Sequence, residues 1–128
     1  MSTDKSKARI AIARVYDDEA HEKTKAARLL VDRIWPRGIR KADLAPDDWI
    51  KEVAPSTELR KWFGHDPERW EEFRKRYRAE LKDNTDAVAR ILDWCRKGPV
   101  ILLYSARDRE HNQAVVLSDF LRKRLAKG

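Results

Sequence analysis

A chain of 128 residues with 41% hydrophobic content carries enough apolar material for one compact core and too little for a second domain. Its formal charge is +7, no stretch approaches the roughly 18 apolar residues of a spanning helix, and Met1-Ser2-Thr3-Asp4-Lys5-Ser6-Lys7 lacks a signal-peptide hydrophobic stretch. A cytoplasmic protein without membrane contact is expected, with the single Cys95 as a free structural thiol, since it has no partner for a disulfide or a zinc-type pair.

Ile10-Ala11-Ile12-Ala13-Arg14-Val15-Tyr16 reads as a first strand, rich in small and β-branched residues and stopped by Asp17-Asp18. A polar connection over residues 17–26 leads to a second strand at residues 28–35. Pro36, which cannot donate to a sheet ladder, ends it, and Gly38 permits a sharp turn. A loop of mixed charge runs to Pro46, and from there to Lys97 the pattern takes a helical period. Asp47–Val53 reads as one or two amphipathic turns closed by Pro55. Ser56 is a plausible N-cap for a helix ending at Gly64, with Glu58 in its first turn, where the helix dipole favours an acid. Asp66-Pro67 gives the next start, a cap followed by proline.

The helix that follows is long, with Trp70, Phe73, Tyr77 and Leu81 on one face and Glu71/Lys75 and Glu72/Arg76 at the i, i+4 spacing of exposed pairs. Thr85 is expected to cap another helix, whose Val88, Ile91, Leu92 and Cys95 form an apolar stripe that Gly98-Pro99 ends. Val100-Ile101-Leu102-Leu103-Tyr104 is a continuous apolar run of the kind found in central buried strands. Asp108 can cap a final helix with Ala114, Leu117, Ser118, Leu121 and Leu125 buried. This order predicts one α/β domain over residues 9–122, with helices packed on a small, at least partly parallel sheet. Residues 1–8 are expected as a disordered basic tail and residues 123–128 as the basic end of the last helix.

Counted by segment, the charge excess sits in three places: residues 1–9, residues 28–41, where five cations face only Asp32, and residues 121–128. The helical middle is nearly balanced. The central patch coincides with the densest chemistry. Asp32, Arg33, Trp35 and Arg37 stand at the end of the second strand, and Ser105, Arg107, Asp108 and His111 at the end of the later one.

A buried charge without a partner is costly, so an Asp-Arg pair inside an apolar run needs a reason. If the two strands are parallel neighbours, both clusters open at one sheet edge, where ligands of open α/β sheets bind. Arg33, Arg37 and Arg107, with N–H groups at the start of the last helix, would then hold a small phosphate- or carboxylate-bearing ligand. Trp35, Ser105 and Asp108 would line the site. His111 is the candidate general acid or base and Asp32 the other catalytic candidate, with Asp32 or Asp108 orienting the imidazole.

Plainer readings stand beside these. Asp32 and Arg33 could form a buried ion pair, Trp35 could be a core anchor, Asp108 a simple cap and His65 a loop-ordering residue. There is no Gly-rich phosphate loop, no nucleophile elbow around Ser105 and no paired His or Cys, so neither metal nor cofactor is expected. Two other classes are consistent with the composition: a noncatalytic nucleic-acid module using residues 28–41 and 122–127, and a protein adaptor using Trp49 or Trp62.

The phrases LVDRIWPRG, APSTELRKWFGHDPERWEEFRKRYRAEL and LLYSARDREHNQAVVL together resemble the YeaO-like family, small bacterial proteins grouped as a domain of unknown function. The resemblance covers roughly residues 10–121 and implies a single α/β domain, with no substrate or activity attached. Some members carry labels as MarR-type transcription regulators, for which this chain lacks the helix-turn-helix and β-wing pattern. More distant members of the wider group place cysteine near the later strand end. Here that position reads Tyr104-Ser105, so thiol chemistry does not carry over.

Overall fold

Period-2 alternation in three of the strands divides the apolar residues between the two faces of one sheet. In a computed structural model that describes residues 9–22 and 24–127, strands β1 (Ile10–Arg14), β2 (Ala27–Leu30), β3 (Asp48–Trp49) and β4 (Val100–Tyr104) are all parallel, in the order β1-β4-β2-β3. The helices are α1 (Lys41–Leu44), α2 (Thr57–Phe63), α3 (Trp70–Asp83), α4 (Thr85–Lys97) and α5 (Gln113–Lys127). The chain is thus a single α/β domain with helices packed on a parallel sheet. The tail expected over residues 1–8 lies outside the described residues.

On one face, Ile10, Leu29, Leu102 and Tyr104 join the buried stripes of the four longer helices, including Phe63, Phe73, Tyr77, Ile91 and Leu117. The opposite face carries Ala13, Leu30 and Leu103, covered by Ala20, Leu44, Trp35 and Ile39 from the irregular segments between β1, β2 and β3. Adjacent residues of a strand point to opposite faces, which is why Leu102 and Leu103 belong to different cores. The Tyr77 hydroxyl, inside the larger core, donates to the Val53 carbonyl at 2.7 Å. Burial pushes the Cys95 thiol up to about 11, as an inert structural cysteine requires.

Several boundaries differ from the expectation. The second strand stops at Leu30, although Val31 N–H still donates to the Leu103 carbonyl. Trp49 Nε1 then takes the Asp32 carbonyl at 2.7 Å, removing an acceptor the ladder would need to continue. Residues 47–53, read as helical, instead form β3 and a 3-10 turn at Lys51–Val53. Asp47 and Ile50 N–H groups donate to the Arg28 and Leu30 carbonyls, and the Asp47 carboxylate accepts from Arg28 N–H.

The caps also divide. Ser56 accepts from Leu59 N–H and Asp66 from Glu68 N–H, as expected. Helix α4 begins at Thr85 with Asn84 before it, and the Asn84 side chain reaches the Glu52 carbonyl. Asn112, not Asp108, caps α5 by accepting from Val115 N–H, so His111 precedes the helix.

Candidate functional site

Parallel pairing of β2 and β4 aligns Leu30 with Leu103 and brings the two chemically dense strand ends side by side. The Ser105 hydroxyl donates to one Asp32 oxygen, and Gln113 Nε2, from the first turn of α5, donates to the other. Arg14 at the end of β1 fixes the neighbouring backbone, its Nε donating to the Ser105 and Ala106 carbonyls at 3.3 and 2.8 Å. Asp32 is only 8% exposed. Burial pushes its carboxyl above the ordinary range, against the lowering effect of the Ser105 and Gln113 hydrogen bonds and the nearby Arg60 charge. The buried Asp32–Arg33 ion pair of the plainer reading does not form: the Asp32 oxygens accept from the neutral donors Ser105 and Gln113.

The strand ends open into a cleft of about 1040 Å³. Of the residues expected at the site, Asp32, Arg33, Ser105, Arg107, Asp108 and His111 all line it. Trp35 and Arg37 do not. Trp35 turns to the loop-covered face, where Nε1 donates to the Ile39 carbonyl and its ring meets Trp49 edge-on at 5.4 Å. Arg37 is exposed, and its carbonyl accepts from the Tyr16 hydroxyl.

Three contributors come from residues the sequence did not single out as a site. Arg60 and Lys61 of α2 line the cleft, as does Gln113. The floor includes Pro55, Phe63, Phe73 and Ala106, and Ile34, 67% exposed, lies in the wall. His65 also lines the cleft and follows Gly64 into the left-handed region, with φ of 58° and 54° respectively. A non-glycine residue there costs about 1–2 kcal/mol.

The cations are unevenly satisfied. Arg33 and Arg60 each have a buried Nε with no acceptor among the described residues. Neither they nor Lys61 nor Arg107 enters an ion pair among those residues. The Asp108 carboxylate is already engaged. One oxygen accepts from the Glu110 and His111 N–H groups and the other meets His111 Nδ1 at 2.8 Å. The Glu110 amide first, then the His111 side chain, hold its carboxyl below the ordinary range. Trp70 packs edge-on against the His111 ring, 5.1 Å between centroids. Asp108, not Asp32, therefore orients the imidazole. No group of three or more His, Cys, Asp or Glu side chains among the described residues is placed to hold a metal ion, and no helix among them is long and apolar enough to cross a membrane.

The comparisons with known proteins agree on kinship. A family model described as the inactive DUF488-N3 subclade matches residues 9–128. The Escherichia coli (strain K12) protein named Uncharacterized protein YeaO is 48% identical over 113 residues, covering 88% of this chain and 96% of that protein. A Mycobacterium tuberculosis (strain ATCC 25618 / H37Rv) relative, Uncharacterized protein Rv3073c, is 42% identical over 116 residues, 91% of this chain and 96% of the relative. No solved structure matches the chain significantly. The chain belongs to the YeaO-like proteins of the inactive DUF488-N3 subclade.

Proposed function

We propose that the cleft at the ends of β2 and β4 binds a small ligand with a phosphate or carboxylate head and an apolar body. The observation that carries this reading is the pair of arginines, Arg33 and Arg60, whose buried Nε groups have no acceptor among the described residues, in a cleft whose two carboxylates are hydrogen-bonded elsewhere, Asp32 to Ser105 and Gln113 and Asp108 to Glu110 and His111. A buried charged donor left unsatisfied is costly, and an anion at the guanidinium groups offsets that cost. Arg107 and Lys61 add to the positive field, and the Phe63 and Phe73 floor suits an apolar body.

Asp32 acts as a positioning group, since Ser105 and Gln113 occupy its two oxygens. His111 is a hydrogen-bonding group of the site: Asp108 engages Nδ1, and Nε2, which makes no hydrogen bond among the described residues, can meet the ligand. The subclade is described as inactive, which favours binding without turnover.

Titration calorimetry with phenyl phosphate, benzoate and inorganic phosphate tests the reading. Both aromatic anions should bind more tightly than inorganic phosphate. Arg33→Ala or Arg60→Ala should each weaken binding about 10- to 100-fold, the weight of a charge-assisted hydrogen bond. Absence of binding by all three, with both variants folded, contradicts it.

A further inference from the structure

A second groove runs between α3 and α5, away from the cleft, with a volume of about 960 Å³. From α3 it is lined by Arg74, Lys75, Arg78 and Lys82, and from α5 by Lys123, Arg124 and Lys127. Glu71 and Glu72 are the acidic residues of the lining, which leaves its charge at +5 in a chain whose whole excess is seven, and Lys123 pairs with Asp119 beside the groove at 3.4 Å. Glu71 is committed to Arg74 at 3.2 Å. Glu72 is committed to Arg76, which is not a lining residue and stacks over Trp62. Lys75, Arg78, Lys82, Arg124 and Lys127 enter no ion pair among the described residues.

The arrangement is periodic. Arg74, Arg78 and Lys82 recur every four residues, so their attachment points advance about 6 Å per step along the helix axis. Lys123 and Lys127 repeat that interval on the facing helix. A polyanion with one charge per repeat and an extended backbone matches this better than a folded protein surface does. The apolar anchor that a protein partner uses is missing, since Phe120 is buried and covered by Arg124, 5.0 Å from its ring centroid. Lysines, which protein interfaces avoid, supply four of the seven cations.

We propose that the α3/α5 groove binds the phosphodiester backbone of a single nucleic-acid strand, without reading its bases. The proposal is independent of the ligand assigned to the cleft. No residue of the 28–41 patch lines this groove; within that patch Arg28 is turned inward to three carbonyls, Arg33 faces the cleft and Arg40 pairs with Asp43.

The test is fluorescence anisotropy of the full chain with a labelled oligothymidylate of about twenty nucleotides, titrated at several salt concentrations. Neutralising five phosphates of a single strand gives a logarithmic salt slope of about −3.5, so affinity should fall about 100-fold between roughly 50 and 200 mM salt. The triple charge reversal Arg78→Glu, Lys82→Glu and Lys127→Glu should abolish binding, and the milder Lys82→Gln with Lys127→Gln should weaken it with a shallower slope. Arg33→Ala with Arg107→Ala should leave it unchanged, which separates this groove from the cleft. Circular dichroism checks each fold. No binding at low salt, binding that survives both groove variants, or equal affinity for polyglutamate of matched length would overturn the proposal, the last by pointing to an acidic polypeptide.

Discussion

Arg28 and Arg33 are five residues apart on one stretch of chain, and their guanidinium groups meet opposite surroundings. On the loop-covered face, Arg28 donates to the carbonyls of Ala20, Leu44 and Ala45, tying the segment after β1 and the end of α1 to β2. In the cleft, Arg33 and Arg60 find neither carbonyl nor carboxylate for their buried Nε groups among the described residues. An arginine whose three guanidinium nitrogens all donate to backbone is a structural clamp, and its charge carries no information about ligands. One held without an acceptor beside an open cleft is a cost to the fold that a bound anion relieves. Composition treats the two alike, so the number of arginines in a segment is a poor guide to binding.

The contrast breaks if stability and binding fail to separate. Arg28→Ala should be the most damaging change, lowering stability by about 3 kcal/mol, because three carbonyls, two of them on the buried residues Ala20 and Leu44, lose a charged donor. Urea unfolding reads this directly, and affinity for phenyl phosphate in the variant that remains folded should match the parent. His65→Gly acts in the other direction. Releasing a left-handed non-glycine residue should raise stability by about 1 kcal/mol, while removing a cleft side chain should reduce phenyl phosphate affinity. Asp108→Ala should cost about 1 kcal/mol through the loss of two backbone N–H partners. Arg33→Ala should leave stability unchanged or slightly raised, by less than about 1 kcal/mol, because it removes an unsatisfied buried donor, and should weaken binding most.

The pH dependence sharpens the same division. Burial raises the Asp32 carboxyl, so its contribution to stability is fully present below the unfolded pKa and is lost as pH rises through the folded one. Asp108 is lowered, so its contribution is present above the unfolded pKa and is lost as pH falls through the folded one. Asp32→Asn should therefore raise stability relative to the parent at pH 7 and progressively less as the pH approaches about 4. Denaturant midpoints across that range check the sign. A larger gain in acid than at neutrality would mean that Asp32 is stabilised as the anion.

The strand ends were the most legible part of the molecule. Apolar runs placed β1, β2 and β4, and the long helical connection between β2 and β4 allowed the parallel pairing that sets Asp32 beside Ser105. Trp35 and Arg37 read as site residues only if the second strand runs to residue 35. Its early stop depends on Trp49 claiming the Asp32 carbonyl, a tertiary contact with no local pattern. Residues 47–53 misled for a similar reason, since a two-residue edge strand is too short to show alternation. Arg60 and Lys61 lie on a helix whose amphipathic pattern explains them as surface residues until the cleft beside them is seen.

The basic groove was hidden by arithmetic. Summed along the chain, α3 is close to neutral, because Glu71, Glu72, Glu80 and Asp83 offset all but one of its five cations. In space, Arg74, Arg78 and Lys82 share one face, and that face meets the basic end of α5. The adaptor reading also weakens in three dimensions: Trp49 is tied to Asp32, and Trp62 lies under Arg69 and Arg76.

The central claim is that Arg33 and Arg60 are held ready for an anion while Arg28 is not. Nitrogen-15 NMR of the arginine Nε–H groups during titration with phenyl phosphate tests it most directly. The Arg33 and Arg60 signals should move together with one dissociation constant while the Arg28 signal stays fixed. Signals of Arg33 and Arg60 that do not move at saturating ligand, or that move no more than that of Arg28, would contradict it.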